Sequence, residues 1–191
     1  MNALNRWHSL LTVVAALGLA ALACGPNVSS PTPPGSPIPV TTQAAGELEG
    51  VWATAVANAQ DGKVTAVMTE AQLTSYAALK LSVGAQTPIT DTQIYLRNGK
   101  MLLYAKITTG GVSLPAVLTL SVVPTASGAV SITIDDANIG PLPVPSSLRD
   151  SLSSSLNDVI AQQVAGGNSN FKVTDVAIGD GKMTVTATLT H

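Results

Sequence analysis

The chain has 191 residues, only 10% of them charged, and a formal net charge of −2. No basic stretch is present that could neutralise phosphates, so the composition excludes nucleic-acid binding. Aromatic residues make up 3% of the chain, so a core has to be built from Val, Leu, Ile and Ala, and the many Thr and Ser residues beside them favour β-sheet.

The N-terminus carries a targeting signal. An uncharged run, Ser9–Ala23, follows Arg6 and ends at Cys24, the single cysteine of the chain. The sequence around it, Ala-Leu-Ala-Cys-Gly at 21–25, resembles a bacterial lipobox, where a lipoprotein signal peptidase cuts before the cysteine and lipid such as palmitate is attached. We therefore predict a signal peptide over 1–23, lipidation of Cys24 and an extracytoplasmic protein anchored to the cell membrane, or to the outer membrane in a diderm.

Two alternatives for this segment stay open. A transmembrane helix needs about 20 apolar residues, and the run of 15 residues from Ser9 to Ala23 is closer to the apolar part of a signal peptide. An ordinary secretory signal would leave the Cys24 thiol free. A lone thiol in an oxidising compartment has no intramolecular partner, and acylation explains its presence better, although Ala21 stands where lipoboxes usually have leucine.

Residues 24–46 have the composition of a linker. Six of the chain's 12 prolines fall in this segment, and most of the remainder is Ser, Thr, Gly and Ala. Such a segment does not bury enough apolar area to fold, and proline makes it extended. We predict a lipidated, disordered linker over 24–46 and a single domain over 47–191.

The first half of that domain combines two helices with strands. Apolar residues at helical spacing predict a short helix over 47–59, and Asp61-Gly62 turns the chain into a strand at Lys63–Met68. Thr69 and Gln72 form a capping box that starts a second helix, which runs to about Leu79. From Asp91 the apolar period changes to two, which is typical of strands.

The second half alternates hairpins with one long helix. Asn98-Gly99 is a strong hairpin signal. Strands are predicted at 92–97, 100–108, 113–123, 129–139, 171–178 and 182–190. An amphipathic helix over 146–164 follows a proline-rich stop and ends at Gly166-Gly167. The expected fold is α+β, with a curved antiparallel sheet of about seven strands packed on this long helix.

The order of these segments resembles the bacterial LmeA/YpmS-like envelope proteins, of the tubular lipid-binding (TULIP-like) folds. The resemblance covers about residues 47–190, and each of its motifs alone is a turn or a cap. They are Met68–Leu73, Ile94–Lys100, Ile139–Leu148 with Leu152 and Leu156-Asn157, and Val176–Val185. It implies a sheet wrapped about a long helix, an apolar groove and binding of an acyl chain or phospholipid there, without catalytic residues.

No catalytic, cofactor or metal site is predicted. Beyond the signal peptide the one histidine is His191, at the end of the chain, so neither a Ser-His-Asp site nor a zinc site has the residues it needs. Asp135 and Asp136 are adjacent in a strand and would point to opposite faces unless a bulge intervenes. The repeats Asp61-Gly-Lys63, Asn98-Gly-Lys100 and Asp180-Gly-Lys182 are interpreted as turns that start strands.

Two functions follow from these observations. The first is an anchored, non-enzymatic envelope lipoprotein that binds a phospholipid or fatty acid in an apolar groove. The second is an envelope scaffold or interaction module with the same fold, a filled core and no ligand. Residues of the apolar stripe of the 146–164 helix are the candidates for lining the groove: Leu148, Leu152, Leu156, Val159 and Ile160.

Overall fold

The computed structural model describes residues 32–81, 89–109, 111–140, 142–147, 149–150, 153–154, 157, 171–179 and 181–190. Two helices and eight strands begin and end within these residues. They follow one another as α1 (Thr42–Ala57), β1 (Lys63–Thr69), α2 (Glu70–Leu81), β2 (Ile89–Arg97), β3 (Lys100–Thr109), β4 (Val112–Pro124), β5 (Val130–Ile139), β6 (Leu142–Pro143), β7 (Phe171–Gly179) and β8 (Lys182–Leu189).

Local sequence signals account for the ends of these elements. Thr69 and Gln72 form the predicted capping box, with Thr69 N donating to Gln72 Oε1 at 2.9 Å and Gln72 N to Thr69 Oγ1 at 3.3 Å. Asn98 and Gly99 both have positive φ, 53° and 74°, as the tight turn between β2 and β3 requires. The Thr41 hydroxyl caps α1 by accepting from Ala44 N at 3.1 Å.

The expectation of one sheet with about seven strands is wrong. The described strands form a three-stranded sheet in the order β1-β8-β7 and a five-stranded sheet in the order β2-β3-β4-β5-β6, and all their pairings are antiparallel. β1 pairs with β8, near the other end of the chain, rather than with β2. Apolar periodicity identifies strands but does not reveal their partners, which is why the sequence suggested a single sheet.

The apolar core lies between the two sheets and is closed by α1. Leu96 of β2, Val64 of β1 and Ala187 of β8 are completely buried and belong to one cluster. Trp52 of α1 stacks on Phe171 of β7 with ring centroids 5.0 Å apart. This interior is filled by side chains of both sheets.

Side chains of α2 close the free edge of β2. The Thr74 hydroxyl accepts from Ile94 N at 2.9 Å and donates to Ile94 O at 3.3 Å. Glu70 Oε1 accepts from Leu96 N at 2.7 Å and also contacts the guanidinium of Arg97. Because an open edge strand is a template for unwanted pairing, these bonds protect β2.

A helical segment closes much of the other edge, at β5. Of the predicted helix over 146–164, residues 146, 147, 149, 150, 153, 154 and 157 are described, and all are helical. Asn157 Oδ1 accepts from Ile132 N at 2.8 Å, Ser153 Oγ accepts from Ile134 N at 2.9 Å, and Arg149 donates to Asp135 O. The polar side of this helix, which the sequence pattern placed off the apolar stripe, therefore binds the edge of the sheet.

Residues from 32 to 41 also contact the domain, so the predicted linker over 24–46 is too long. α1 begins at Thr42, not near Glu47, and Thr41 N donates to Ser75 Oγ at 3.1 Å. Proline lacks the N–H needed for sheet pairing, but side chains from β2 and α2 bind this segment instead. For residues 24–31 the linker stays a prediction, because these residues lie outside the described part of the chain.

Candidate functional site

A proline-rich segment covers part of the outer face of the five-stranded sheet, the face turned away from the core. We call residues 33–40 the strap. Ile38 N donates to Gln93 Oε1 at 2.6 Å, and Gln93 Nε2 donates back to Ile38 O at 3.2 Å. Tyr95 Oη donates to Ser36 O at 3.2 Å. The strap is thus fixed to β2 by two side chains.

The strap explains why Tyr95 is buried. Tyr95 stands between the core residues Ile94 and Leu96 in β2 and therefore points to the outer face, yet it is only 1% exposed. A Cβ atom on Gly35 of the strap would lie 3.5 Å from its ring. Tyr104 of β3 meets the same ring edge to face at 5.8 Å.

A cavity of about 550 Å³ lies between the strap, α2 and strands β2 to β4. This volume is within the range of about 300–1,000 Å³ that is usual for small-molecule sites. Most of the lining surface is apolar. The lining residues are Pro33, Pro37 and Val40 of the strap, Ala78 of α2, Asp91, Thr92 and Gln93 of β2, Tyr104, Ala105 and Lys106 of β3, and Pro115 and Ala116 of β4. We call this cavity the strap pocket.

Charged groups in the lining of the strap pocket are confined to one exposed ion pair. Lys106 Nζ lies 2.7 Å from Asp91 Oδ2, and the other lining residues among those described carry no charge. Burial raises the pKa of Tyr104, so its phenol is neutral at physiological pH. The pocket therefore offers an aliphatic and aromatic wall with a pair of opposite charges at its mouth.

The two adjacent aspartates of β5 do not form a metal site. A bulge between Thr119 and Leu120 leaves Asp135 without a partner in β4, and it puts Asp135 and Asp136 on the outer face together, contrary to the alternation expected of a regular strand. Asp135 Oδ2 accepts from Lys100 Nζ at 2.9 Å and from Ser121 Oγ at 2.6 Å. Asp136 Oδ2 accepts from Asn138 Nδ2 at 2.9 Å.

The contact between Lys100 and Ser121 is not an activated nucleophile. Their Nζ and Oγ atoms are 2.6 Å apart, but Lys100 is also paired with Asp135 and its side chain is 43% exposed. A general-base lysine has to be desolvated, which this exposed lysine is not. Within the described ranges, no three His, Cys, Asp or Glu side chains are grouped to hold a metal ion.

The predicted site residues lie outside the described residues. These are Cys24 and the groove candidates Leu148, Leu152, Leu156, Val159 and Ile160, so lipidation and a groove beside that helix stay predictions. No helix in the described part of the chain is long and apolar enough to cross a membrane.

Sequence reasoning missed the strap pocket because it assigned one of its walls to a disordered linker. A usable signal was present in that segment. Ile38 and Val40 are β-branched apolar residues among the prolines, and Thr41 follows them directly as a helix cap. Apolar residues next to a folded element indicate a segment that packs rather than a free linker.

The chain matches the model of a known protein family. The family described as LmeA-like phospholipid-binding matches residues 35–188, a range that includes most of the strap, both sheets and every lining residue of the pocket except Pro33. No curated protein and no solved structure gives a significant match.

Proposed function

Because the chain belongs to the LmeA-like phospholipid-binding family, we propose that it is a non-catalytic envelope lipoprotein that takes the acyl part of one phospholipid into the strap pocket. The observation that carries this proposal is the apolar cavity of about 550 Å³ under the strap. Transfer of an acyl chain from water into such a site contributes about 0.8 kcal/mol per buried methylene.

The centre of the interior between the two sheets does not have space for this role. Its central side chains, Val64, Leu96 and Ala187, have no exposed surface, and protein interiors packed in this way leave no room for a chain of methylenes. The strap pocket, in contrast, has space for an acyl chain. An interaction module without a ligand is the competing function, and it requires that this pocket stay empty.

Lipidation of Cys24 would hold the pocket close to a membrane. Eight residues separate Cys24 from Pro33, the first residue of the strap, and in an extended proline-rich conformation the nine steps between the two residues would span about 28 Å. This reach is much shorter than that of a linker running to residue 46. In this proposal the strap joins the anchor directly to the wall of the binding site.

Uptake of lipid by the delipidated protein tests the pocket. Ala78 of α2 lines the cavity and is half-buried, whereas Ala71 of the same helix is exposed and lies outside it. We expect Ala78→Phe to reduce uptake of a fluorescent phospholipid at least about tenfold by filling the cavity, and Ala71→Phe to leave it unchanged. Failure of the unmodified protein to take up any lipid would refute the function.

The anchor needs its own experiment. Metabolic labelling with a palmitate analogue in a bacterial host should label the protein and should fail with Cys24→Ser, which should also leave the membrane fraction. Labelling that persists in Cys24→Ser, or a protein that is never labelled, would contradict lipidation without affecting the pocket.

A further inference from the structure

The charged pair at the mouth of the strap pocket has the arrangement of a headgroup site. We propose that Asp91 and Lys106 bind a phosphoethanolamine headgroup, with the phosphate on Lys106 and the ammonium group on Asp91. This inference rests on the proposed function, since the acyl part of the same lipid would occupy the pocket behind the pair.

The position of the pair is the first support. Asp91 Oδ2 and Lys106 Nζ are 2.7 Å apart, and their side chains are 63% and 56% exposed. Both residues also line the apolar cavity. A ligand with apolar chains and a polar end could therefore place its chains against Tyr104 and Pro115 while its polar end reaches these two charges.

The backbone at Asp91 is the second support. Asp91 has a φ of 54°, a left-handed conformation that is uncommon for any residue other than glycine. It lies where the register of β2 against β3 shifts between Thr90 and Gln93. Bulges of this kind re-aim a side chain and are frequent beside binding sites, and this one brings a carboxylate to the mouth of the pocket.

Stability alone does not account for this arrangement. An ion pair between two exposed side chains contributes little to folding, because solvent screens it and both side chains lose conformational freedom. The pair therefore contributes little to the stability of the fold and is free to exchange its partners for a ligand. The pair is accessible from solvent, so a headgroup can reach it without any movement of the core.

Charge complementarity selects the class of headgroup. In phosphoethanolamine an ethylene link joins a phosphate to an ammonium group, so the phosphate can replace Asp91 as the partner of Lys106 while the ammonium group takes the carboxylate. Both charges of the protein then remain paired. A phosphoglycerol headgroup has no cation, so its phosphate would compete with Asp91 for Lys106 and leave the Asp91 carboxylate without a partner.

Competition binding with the delipidated full-length protein tests the headgroup site. The probe is a fluorescent diacylglycerol, displaced by phosphatidylethanolamine, phosphatidylglycerol or unlabelled diacylglycerol with the same chains. We expect the unmodified protein to prefer phosphatidylethanolamine over phosphatidylglycerol by a factor of about five or more. Asp91→Asn should abolish this preference, and Lys106→Gln should weaken the binding of both phospholipids by a larger factor than the binding of diacylglycerol.

The exposed ion pair between Lys80 and Glu49 supplies matched controls. Its side chains are 62% and 61% exposed, and neither residue lines the pocket, so Lys80→Gln and Glu49→Gln should change no affinity. If the unmodified protein has no such preference, or if Asp91→Asn retains it, the headgroup site is refuted while diacylglycerol binding still supports the pocket. If no lipid binds, diacylglycerol included, the headgroup site and the proposed function are both refuted.

Discussion

The two faces of the five-stranded sheet differ in how they are covered. One face packs on the three-stranded sheet through side chains such as Leu96 and Leu120, which are almost completely buried. The other is covered in part by the strap, which hydrogen bonds to Gln93 and Tyr95 and leaves a cavity beside them. Alternate residues of β2 thus face a filled interior on one side and a surface cavity on the other.

The largest difference between the faces should appear in stability. Leu96 is completely buried between the sheets, and we expect Leu96→Ala to lower the free energy of unfolding by about 2–5 kcal/mol. Leu102 of β3 lies on the outer face and is half-buried, and Leu102→Ala should lower it by less than half as much. Denaturant unfolding measures both, and equal losses would show that the outer face is packed as tightly as the core.

The closure of the β2 edge by α2 should have the next largest effect. Thr74 is completely buried and forms both hydrogen bonds to Ile94. Thr74→Val keeps the shape of the side chain but leaves these groups unpaired, which we expect to lower the free energy of unfolding by about 1–3 kcal/mol. Thr54→Val, at an exposed position of α1, is the control, and a similar loss there would mean that helical propensity explains the effect.

Loosening the strap should lower the free energy of unfolding by less than either of the two substitutions above. Tyr95→Phe removes the hydroxyl that donates to Ser36 O, at an expected loss of about 0.5–1.5 kcal/mol. The substitution should accelerate amide hydrogen exchange in residues 35–40 and should accelerate it less in β1 and β8. Tyr76→Phe alters a tyrosine of α2 that does not line the pocket, and it should leave the strap unchanged. Unchanged exchange in Tyr95→Phe would show that the strap is held by other contacts.

The smallest effect concerns Asp135 and depends on pH. The hydrogen bond from Ser121 lowers the pKa of Asp135, burial opposes this shift, and Lys100 adds to the lowering. A lowered pKa in the folded state stabilises the fold above the usual value of about 3.9, and the stabilisation disappears as pH falls through the folded pKa. Asp135→Asn should therefore cost about 0–1 kcal/mol at pH 7, and the difference from the unmodified protein should vanish in acid. A constant difference across this range would contradict the assignment.

Most of the local structure around the five-stranded sheet could be predicted from the sequence. The capping box at Thr69 and Gln72 and the turn at Asn98 and Gly99 depend on residues close in sequence, and both are confirmed. The choice of sheet depends on distant partners. Lys63 aligns with Thr188, and no local signal in β1 identifies β8 as its neighbour.

The candidate site was harder to predict than the fold, for the same reason. Asp91 and Lys106 come together because two strands pair around a bulge, and neither residue belongs to a motif. Ile38 is bound by a glutamine 55 residues away. The polar residues Arg149, Ser153 and Asn157 lie off the apolar stripe of the predicted helix. They bind the edge of β5, a contact with distant residues that the helical pattern does not reveal.

Photo-crosslinking tests the central claim most directly, namely that the ligand occupies the outer face of the sheet and not its core. A phospholipid with a photoreactive group in its acyl chain would be bound to the delipidated protein, irradiated and mapped by mass spectrometry of peptides. The structure predicts crosslinks in the strap at residues 33–40 and in β3 and β4 around Tyr104 and Pro115. Crosslinks confined to core residues such as Val64 or Leu96, or their absence from the strap, would contradict it.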